Sequence, residues 1–181
     1  MPVAADPRTI YVDAYNPSGP WDGTKDHPYQ NITSGIEHAS AGDTILVRAG
    51  TYEESITIRD KDNLMLIGES RENTIIDGGG AGSVVYVIAN NLTFNGFTIQ
   101  NGEYGIWLRN SNNNNFTGNT VLNNEYGIYL YYSSDNVLSG NTALNNTYGI
   151  YVGDSSDNVL SSNYASNNSY GIYLSHSNNN L

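Results

Sequence analysis

Acidic side chains recur at a fixed interval in the second half of the chain. The sequence numbers of Glu103 and Glu125 differ by 22, and so do those of Asp135 and Asp157. If side chains separated by this interval lie side by side in the fold, each pair can have the separation of roughly 5 to 10 Å with which two carboxyl groups hydrolyse a glycosidic bond. These four residues and Asp154 are the candidates for a catalytic acid pair. Aspartates at turns often serve only to cap the turn, which is the alternative interpretation.

The same carboxylates could bind a cation. Like charges stacked one above another repel each other, and Ca²⁺, which prefers oxygen ligands, would relieve that repulsion. The predicted calcium ligands are Asp135, Asp154 and Asp157, with Asp60 and Asp62 of the segment RDKDN as a second candidate group. Solvated carboxylates at turns need no cation, so the sequence requires no cofactor and calcium is the one that it allows.

Aromatic residues follow the same interval. The triplet Tyr-Gly-Ile begins at Tyr104, Tyr126, Tyr148 and Tyr170. Rings on the outward side of these segments could lie against sugar rings or against a partner protein, but tyrosine stacks also stabilise parallel strands by themselves. Because basic residues are nearly absent from this region, the expected glycan is neutral and not a uronate. The predicted ligand-binding residues are Trp107, Tyr129, Tyr131, Tyr151 and Tyr173.

A repeat with this short period indicates a solenoid, because one such unit is too small to bury its own apolar face and must stack on its neighbours. Within residues 126–146, apolar and polar residues alternate over short runs, which is typical of strands. Ile128 and Leu130 are expected to point inward, and Tyr129 and Tyr131 outward. Each unit is expected to contain three short strands and three corners rich in Asn, Gly and Ser. This pattern predicts an all-β fold, a parallel β-helix whose coils lie about 4.8 Å apart.

Stacking of similar units also predicts columns of identical side chains. Apolar columns, such as Ile106, Ile128, Ile150 and Ile172, are expected to form the core. Asn columns are expected at the corners, where stacked amides can hydrogen-bond to each other and to the turn backbone. These columns consist of Asn119, Asn141 and Asn163, and of Asn124, Asn146 and Asn168.

The first hundred residues are less regular but fit the same fold. Residues 30–40 space Ile32, Ile36 and Ala39 as an amphipathic helix does, which predicts a helical cap over the first coil. After this helix, six runs with alternating or apolar patterns are predicted to form strands. They are GDTILVRAGTY, ESITIRD, DNLMLIGES, NTIIDGGG, SVVYVIA and NLTFNGFTIQN.

The chain is predicted to form one domain of about six coils over residues 1–181. Residues 1–42 would be the N-terminal segment and cap, residues 43–101 the irregular coils, and residues 102–181 the regular repeats. Leu181 falls partway through a coil, so the C-terminal end is expected to be uncapped. An open coil edge can pair with another chain, which predicts a homodimer through the last coil unless the chain is cut from a longer repeat protein.

Composition argues against several classes of function. The chain has a net charge of −11 and no cysteine, and only Arg109 of its seven Lys and Arg residues lies in the repeats. A nucleic-acid backbone or an anionic membrane surface is therefore not an expected partner. No apolar run approaches the roughly 20 residues that span a bilayer, and no signal peptide is recognisable. Glycosylation sequons begin at Asn145 and Asn167, both at predicted corners, where glycans would suit an exported protein.

The segments GDTILVRAGTYEESITI, LMLIGES and TIIDGGG resemble the first coils of the right-handed parallel β-helix superfamily. That superfamily includes pectate lyases, pectin esterases and the NosD-like periplasmic copper-associated repeat proteins. Units such as NVLSGNTALNNTYGIYV resemble the carbohydrate-binding and sugar-hydrolase repeat, and the likeness covers nearly the whole chain from Ile10. The resemblance implies a right-handed parallel β-helix solenoid. It implies no single activity, because this fold is shared by lyases, hydrolases, esterases and adhesins.

The residues that such relatives use are only partly matched. Polysaccharide lyases of this fold use an Arg or Lys as the base, for which Arg109 is the candidate in the repeats; a solvated or ring-packed arginine is the alternative. Copper prefers imidazole and soft ligands, and we do not expect the copper association to carry over. The available ligands are widely separated in the sequence: His27, His38, His176, Met1 and Met65.

Together these patterns favour an extracellular or cell-surface structural and recognition module. It would contact a neutral glycan or a partner protein through the outward aromatic column. The alternative is a carbohydrate-active enzyme, a polysaccharide lyase or glycoside hydrolase, whose acid pair is among the carboxylates named above. The strict period leaves no insertion in the repeats that could wall a catalytic groove, which argues against the enzyme.

Overall fold

Nineteen short strands and one helix form residues 6–181, which are the residues that this computed structural model describes. The helix in this part of the chain is not long and apolar enough to cross a membrane. In chain order the elements are β1 (Thr9–Val12), α1 (Ile32–His38), β2 (Thr44–Val47), β3 (Gly50–Glu53), β4 (Ile56–Arg59), β5 (Met65–Gly68), β6 (Thr74–Asp77), β7 (Ser83–Ile88), β8 (Thr93–Asn95), β9 (Thr98–Gln100), β10 (Tyr104–Arg109), β11 (Asn115–Thr117), β12 (Thr120–Leu122), β13 (Tyr126–Tyr131), β14 (Val137–Ser139), β15 (Thr142–Leu144), β16 (Tyr148–Gly153), β17 (Val159–Ser161), β18 (Tyr164–Ser166) and β19 (Tyr170–Ser175).

The strands form three parallel sheets that run along the molecule. Sheet A has the order β1-β2-β5-β8-β11-β14-β17, sheet B the order β3-β6-β9-β12-β15-β18, and sheet C the order β4-β7-β10-β13-β16-β19. From β2 onward every coil contributes one strand to each sheet, which makes six coils. The predicted parallel β-helix of about six coils is therefore confirmed.

In the regular coils, equivalent residues of successive repeats pair in register. Ile106 pairs with Ile128, and Ile128 pairs with Ile150. All three side chains are completely buried, as is Leu130, whereas Tyr129 is only half-buried. The predicted alternation of inward aliphatic and outward aromatic residues on the long strands is confirmed.

Sharp corners separate the strands because the backbone turns through the left-handed region. Sixteen non-glycine residues among residues 6–181 have a positive φ, and thirteen of them are Asn or Asp. These two residue types tolerate that region better than others, since their short polar side chains can hydrogen-bond locally. The three exceptions are Tyr132, Ser162 and His176.

The Asn columns bind successive coils to each other as predicted. The Asn141 Oδ1 atom accepts the Asn119 backbone N–H at 3.0 Å, and the Asn141 Nδ2 atom donates to the Phe116 carbonyl at 2.8 Å. The column of Asn124, Asn146 and Asn168 repeats the contact, with the Asn124 backbone N–H donating to Asn146 Oδ1 at 3.0 Å. In these two columns, each buried corner is therefore satisfied by an amide from the next coil.

The helix α1 lies over the first coil, and Ile32, Gly35 and Ile36 on its buried side pack against β1, β2 and β4. Asn31 caps the helix by accepting the Ser34 backbone N–H at 2.7 Å. The predicted helix is thus present but shorter than residues 30–40. The sequence analysis did not predict β1, a strand of four residues at the edge of sheet A.

Two of the predicted strand runs each contain two strands. NLTFNGFTIQN contains β8 and β9 because Gly96, with φ of 81°, turns the chain between them. The Gly96 corner also lies against the Gly68 carbonyl, where an added Cβ would be 2.4 Å from the oxygen. GDTILVRAGTY likewise contains β2 and β3, with the corner at residues 48–49.

Candidate functional site

The outward side of sheet C carries a continuous layer of aromatic rings, which we call the aromatic face. Its strands β7, β10, β13, β16 and β19 are each six residues long, so they offer the widest flat surface of the solenoid. Strict pairing in register places each ring directly beside its counterpart one coil away. The face consists of Tyr86, Tyr104, Trp107, Tyr126, Tyr129, Tyr131, Tyr148, Tyr151, Tyr170 and Tyr173.

The first column of the face is a regular stack. Tyr104, Tyr126, Tyr148 and Tyr170 have centroid distances of 5.0, 4.9 and 4.7 Å between successive rings, and their interplanar angles do not exceed 13°. Such offset stacks stabilise neighbouring strands by about 0.5–1.5 kcal/mol for each aromatic pair. This column has a sufficient structural explanation.

The second column is less uniform. Trp107 and Tyr129 are tilted at a centroid distance of 6.1 Å, Tyr129 and Tyr151 meet edge to face at 5.0 Å, and Tyr151 and Tyr173 are stacked at 5.2 Å. Tyr86 extends the column to the preceding coil at 4.8 Å from Trp107. The sequence analysis missed Tyr86, although SVVYVIA has the same alternation as the repeats.

Trp107 can contact a ligand through its ring but not through its buried N–H group. The Nε1 atom is buried and has no hydrogen-bond partner within the described residues. The rings of Tyr86 and Tyr104 both lie 4.8 Å from the Trp107 ring, and an N–H group can make a weak contact with an aromatic ring. A ligand would therefore contact Trp107 through its apolar surface.

The hydroxyl groups of Tyr104 and Tyr129 in the face have raised pKa values and remain protonated well above neutral pH. Burial raises the pKa of Tyr104 to about 12, and the negative charge of Glu103 adds to the effect. Burial also raises the pKa of Tyr129 to about 12, with a further contribution from Tyr151. At neutral pH both groups are hydrogen-bond donors at the edge of an apolar ring, which is the combination that suits sugar hydroxyl groups.

Charged residues border the aromatic face on both sides. Glu103 and Glu125 directly precede β10 and β13 and are exposed. Asp154 directly follows β16, and Arg109 ends β10, where it pairs in register with Tyr131. The borders therefore carry three carboxylates and one cation, so the field over the face favours a neutral ligand over an anionic one.

The predicted acidic residues fall into three separate columns. Glu103 and Glu125 form one column beside the face, and Asp135 and Asp157 form another, at the corner before sheet A. Asp154 belongs to neither, since it lies in the column of Tyr132 and His176. The catalytic roles of these carboxylates and of Arg109 stay predictions.

The predicted calcium ligands do not form a cluster. Within residues 6–181, no three His, Cys, Asp or Glu side chains are placed to hold a metal ion together. The Asp157 Oδ1 atom accepts a hydrogen bond from Asn179 at 3.1 Å, and the Asp62 Oδ1 atom accepts the Asn90 backbone N–H at 2.7 Å. Calcium binding stays a prediction, and it would need backbone or water oxygens as further ligands.

The two predicted glycosylation sites are accessible. Asn145 and Asn167 lie at exposed corners with φ of 54° and 56°. Their use as glycosylation sites stays a prediction.

The sequence model of a family described as periplasmic copper-binding protein (NosD) matches residues 36–181. The chain belongs to the NosD family. The match covers all six coils and the end of the capping helix, so the resemblance seen in the repeats holds for the solenoid as a whole.

The residues of this NosD-family chain do not fit a copper site. Copper prefers imidazole and sulfur ligands, and the chain has no cysteine. His27 precedes α1, His38 ends α1, Met65 begins β5 and His176 follows β19, so the side chains are distributed over both ends of the described solenoid. Met1, the remaining candidate, lies outside the described residues.

Two curated proteins resemble the NosD-family chain over part of its length. Pectinesterase/pectinesterase inhibitor 18 of Arabidopsis thaliana is 32% identical over 117 residues, which are 60% of this chain and 20% of that protein. Uncharacterized protein YwoF of Bacillus subtilis (strain 168) is 27% identical over 103 residues, which are 51% of this chain and 22% of that protein. The chain therefore spans about a fifth of the length of these relatives.

Solved structures share the fold. An alginate lyase from Paenibacillus sp. str. FPU-7 matches with a TM-score of 0.67 and 18% identity, covering 94% of this chain and 65% of the lyase. A rhamnogalacturonan lyase matches with a TM-score of 0.64 and 16% identity, covering 95% of this chain and 62% of the lyase. A carrot pectin methylesterase matches with a TM-score of 0.56 and 18% identity, covering 95% of this chain and 63% of the methylesterase. At these identities the likeness shows a common β-helix fold.

Proposed function

We propose that the chain is a carbohydrate-recognition module that acts outside the cytoplasm and binds a neutral glycan on the aromatic face. The observation that supports the proposal is the layer of ten rings on the wide sheet, with acidic residues along its borders. Aromatic rings with polar edges pack well against sugar rings. The family description as periplasmic and the similarity to a pectinesterase support an exported protein that meets carbohydrate.

Binding to immobilised oligosaccharides tests this proposal. The panel would contain neutral glucan, xylan, mannan and galactan oligomers, with oligogalacturonate as the charged comparison. The variant with Tyr129→Ser and Tyr151→Ser should bind neutral oligomers at least about tenfold more weakly, a loss of about 1.4 kcal/mol. Tyr164→Thr is the matched control, because Tyr164 is exposed on sheet B and pairs with Thr142 of the preceding coil.

A second candidate function is a carbohydrate-active enzyme. The observation in its favour is that the solved structures with this fold include lyases and methylesterases of polysaccharides. Its acid pair would be Glu103 with Glu125, which follow each other one coil apart at the border of the face. Release of reducing ends, unsaturated sugars or methanol from pectin and alginate would support the enzyme, and loss of that activity in Glu125→Gln would assign the pair.

A partner protein on the same face is the remaining alternative. This alternative predicts that neither the wild-type chain nor the double tyrosine variant binds oligosaccharides, and that only the variant loses contact with the partner protein. Binding of neutral oligomers by the wild-type chain would exclude this alternative as the sole role of the face.

A further inference from the structure

The regular repeats differ most from one another at two positions, the last residue of each long strand and the residue that follows it. The preceding position is always Leu or Val, and the following position is always Ser. The two positions themselves carry a cation, aromatic rings, a carboxylate and an imidazole in successive coils. Their occupants are Arg109 and Asn110, Tyr131 and Tyr132, Gly153 and Asp154, and Ser175 and His176.

The backbone at this place has nearly the same φ in the four regular coils. Asn110, Tyr132, Asp154 and His176 all have φ between 47° and 50°. The Tyr132 N–H donates to the Gly153 carbonyl at 3.3 Å, and the Asp154 N–H donates to the Ser175 carbonyl at 3.0 Å. The fold therefore fixes the turn but leaves the side chains free to differ.

Tyr132 is the residue least suited to this turn. A tyrosine with φ of 50° is strained, because its Cβ is crowded in the left-handed region that Asn tolerates. The Tyr132 side chain is 53% exposed, so core packing does not compensate for the strain. Strain that is retained at an exposed residue points to function.

Tyr132 continues the aromatic face around its edge. The Tyr131 and Tyr132 rings have a centroid distance of 4.2 Å, and Tyr131 stacks on Tyr129 at 5.9 Å with an angle of 11°. The missing side chain of Gly153 leaves room for the neighbouring Tyr151 ring, since an added Cβ would lie 2.9 Å from Tyr151 Cε1, whereas its distance of 3.6 Å from Tyr131 Cδ2 would be an ordinary contact.

An exposed carboxylate and an imidazole follow the rings. Asp154 lies in the column position after Tyr132, and His176 in the position after Asp154, each displaced by one coil of about 4.8 Å. Within residues 6–181, Asp154 has no salt-bridge partner, and the His176 ring contacts Ser175 Oγ at 3.1 Å. Both side chains are exposed to a ligand on the face.

We propose that Tyr131, Tyr132, Asp154 and His176 form a specificity strip that distinguishes sugars by the orientation of their hydroxyl groups. The inference rests on the proposed binding of a neutral glycan. A sugar ring that extends beyond Tyr129 packs on Tyr131 and Tyr132, and the Asp154 carboxylate accepts hydrogen bonds from hydroxyl groups on adjacent carbons. A site that uses such bonds rejects the isomer in which a hydroxyl points elsewhere. The Asp154 charge also repels sugars that carry a carboxylate.

Selectivity within the oligosaccharide panel tests the inference. Wild-type protein should prefer one stereochemical class, for example mannan or galactan over glucan and xylan, by at least about tenfold, which equals about 1.4 kcal/mol. Tyr132→Asn and Asp154→Asn should each reduce that ratio to within about threefold. Both substitutions introduce the residue found at Asn110 in the same column, so the turn is kept. Asp26→Asn is the matched control, because it removes the same charge from an exposed residue in the loop before α1, which lies outside sheet C and outside every candidate site.

The outcomes separate the inference from the proposed function. Loss of selectivity in the two strip variants, with unchanged selectivity in Asp26→Asn, supports the inference. Unchanged selectivity in the strip variants, with binding still weakened by the double variant Tyr129→Ser and Tyr151→Ser, overturns the strip but leaves the glycan-binding face. Equal loss of selectivity in Asp26→Asn overturns the strip in favour of a general charge effect. A wild-type protein that binds none of the neutral oligomers overturns both.

Discussion

Replacement of Asn141 by Ala tests whether the Asn columns hold the coils together. Asn141 is 1% exposed, and its side chain makes four hydrogen bonds: two to Asn119, one to the Phe116 carbonyl and one to Asn163. In Asn141→Ala the buried Asn119 backbone N–H loses its acceptor, and the Phe116 carbonyl loses a donor. A buried polar group without its partner destabilises by about 1–3 kcal/mol, so two such groups predict a loss of about 4 kcal/mol.

Urea unfolding, followed by far-ultraviolet circular dichroism and by tryptophan fluorescence, measures the change in the free energy of unfolding. The control is Asn145→Gly, because Asn145 is an exposed corner residue with φ of 54°, which glycine adopts without strain. We expect the control to differ from wild type by no more than about 0.5 kcal/mol. If Asn141→Ala were within about 1 kcal/mol of wild type, the columns would contribute only what an ordinary exposed hydrogen bond does, and the argument would be refuted.

Two further predictions concern the aromatic face. The free energy of unfolding should fall as the pH rises from 10 to about 12, because the pKa values of Tyr104 and Tyr129 are about 12 in the folded chain and near 10 in the unfolded chain. A single midpoint near 10 in an ultraviolet titration of the tyrosines would contradict this prediction. Gly153→Ala should displace the Tyr151 ring and weaken glycan binding severalfold while the unfolding midpoint changes little; unchanged binding would show that ring placement is unimportant.

The sequence was sufficient to predict the coils because the repeats share one pattern of inward, outward and corner residues. Ile128 and Asn141 have identical counterparts one coil away, so the constant period fixes both their neighbours and their direction. The corner at Gly96 was not resolved in the sequence, since one glycine within an apolar run does not distinguish a turn from a continuous strand. The strand β1 was missed because four residues at a sheet edge carry too little periodicity to be recognised.

The candidate site was predicted less completely for a physical reason. Outward aromatic residues on the long strands follow from alternation, which identified Tyr129 and Tyr151. Tyr132 was overlooked because it falls in a turn, and turn residues have no periodicity that assigns them to a face. Only the three-dimensional contact, with the Tyr132 ring 4.2 Å from Tyr131, joins it to the sheet.

The stacking of rings alone does not explain the specificity strip. If the aromatic residues served only to stabilise sheet C, each position on its strands would be expected to repeat the same residue, as the column of Tyr104 and Tyr126 does. The column that holds Tyr132 and Asp154 does not repeat one residue, and both side chains are exposed. Tyr132 is also strained on a backbone that Asn110 adopts with less strain. In a solenoid the core and the corners fix the backbone, so the residues at the ends of the long strands can differ from coil to coil. We therefore expect a change of residue in the strip to alter recognition without altering the coil.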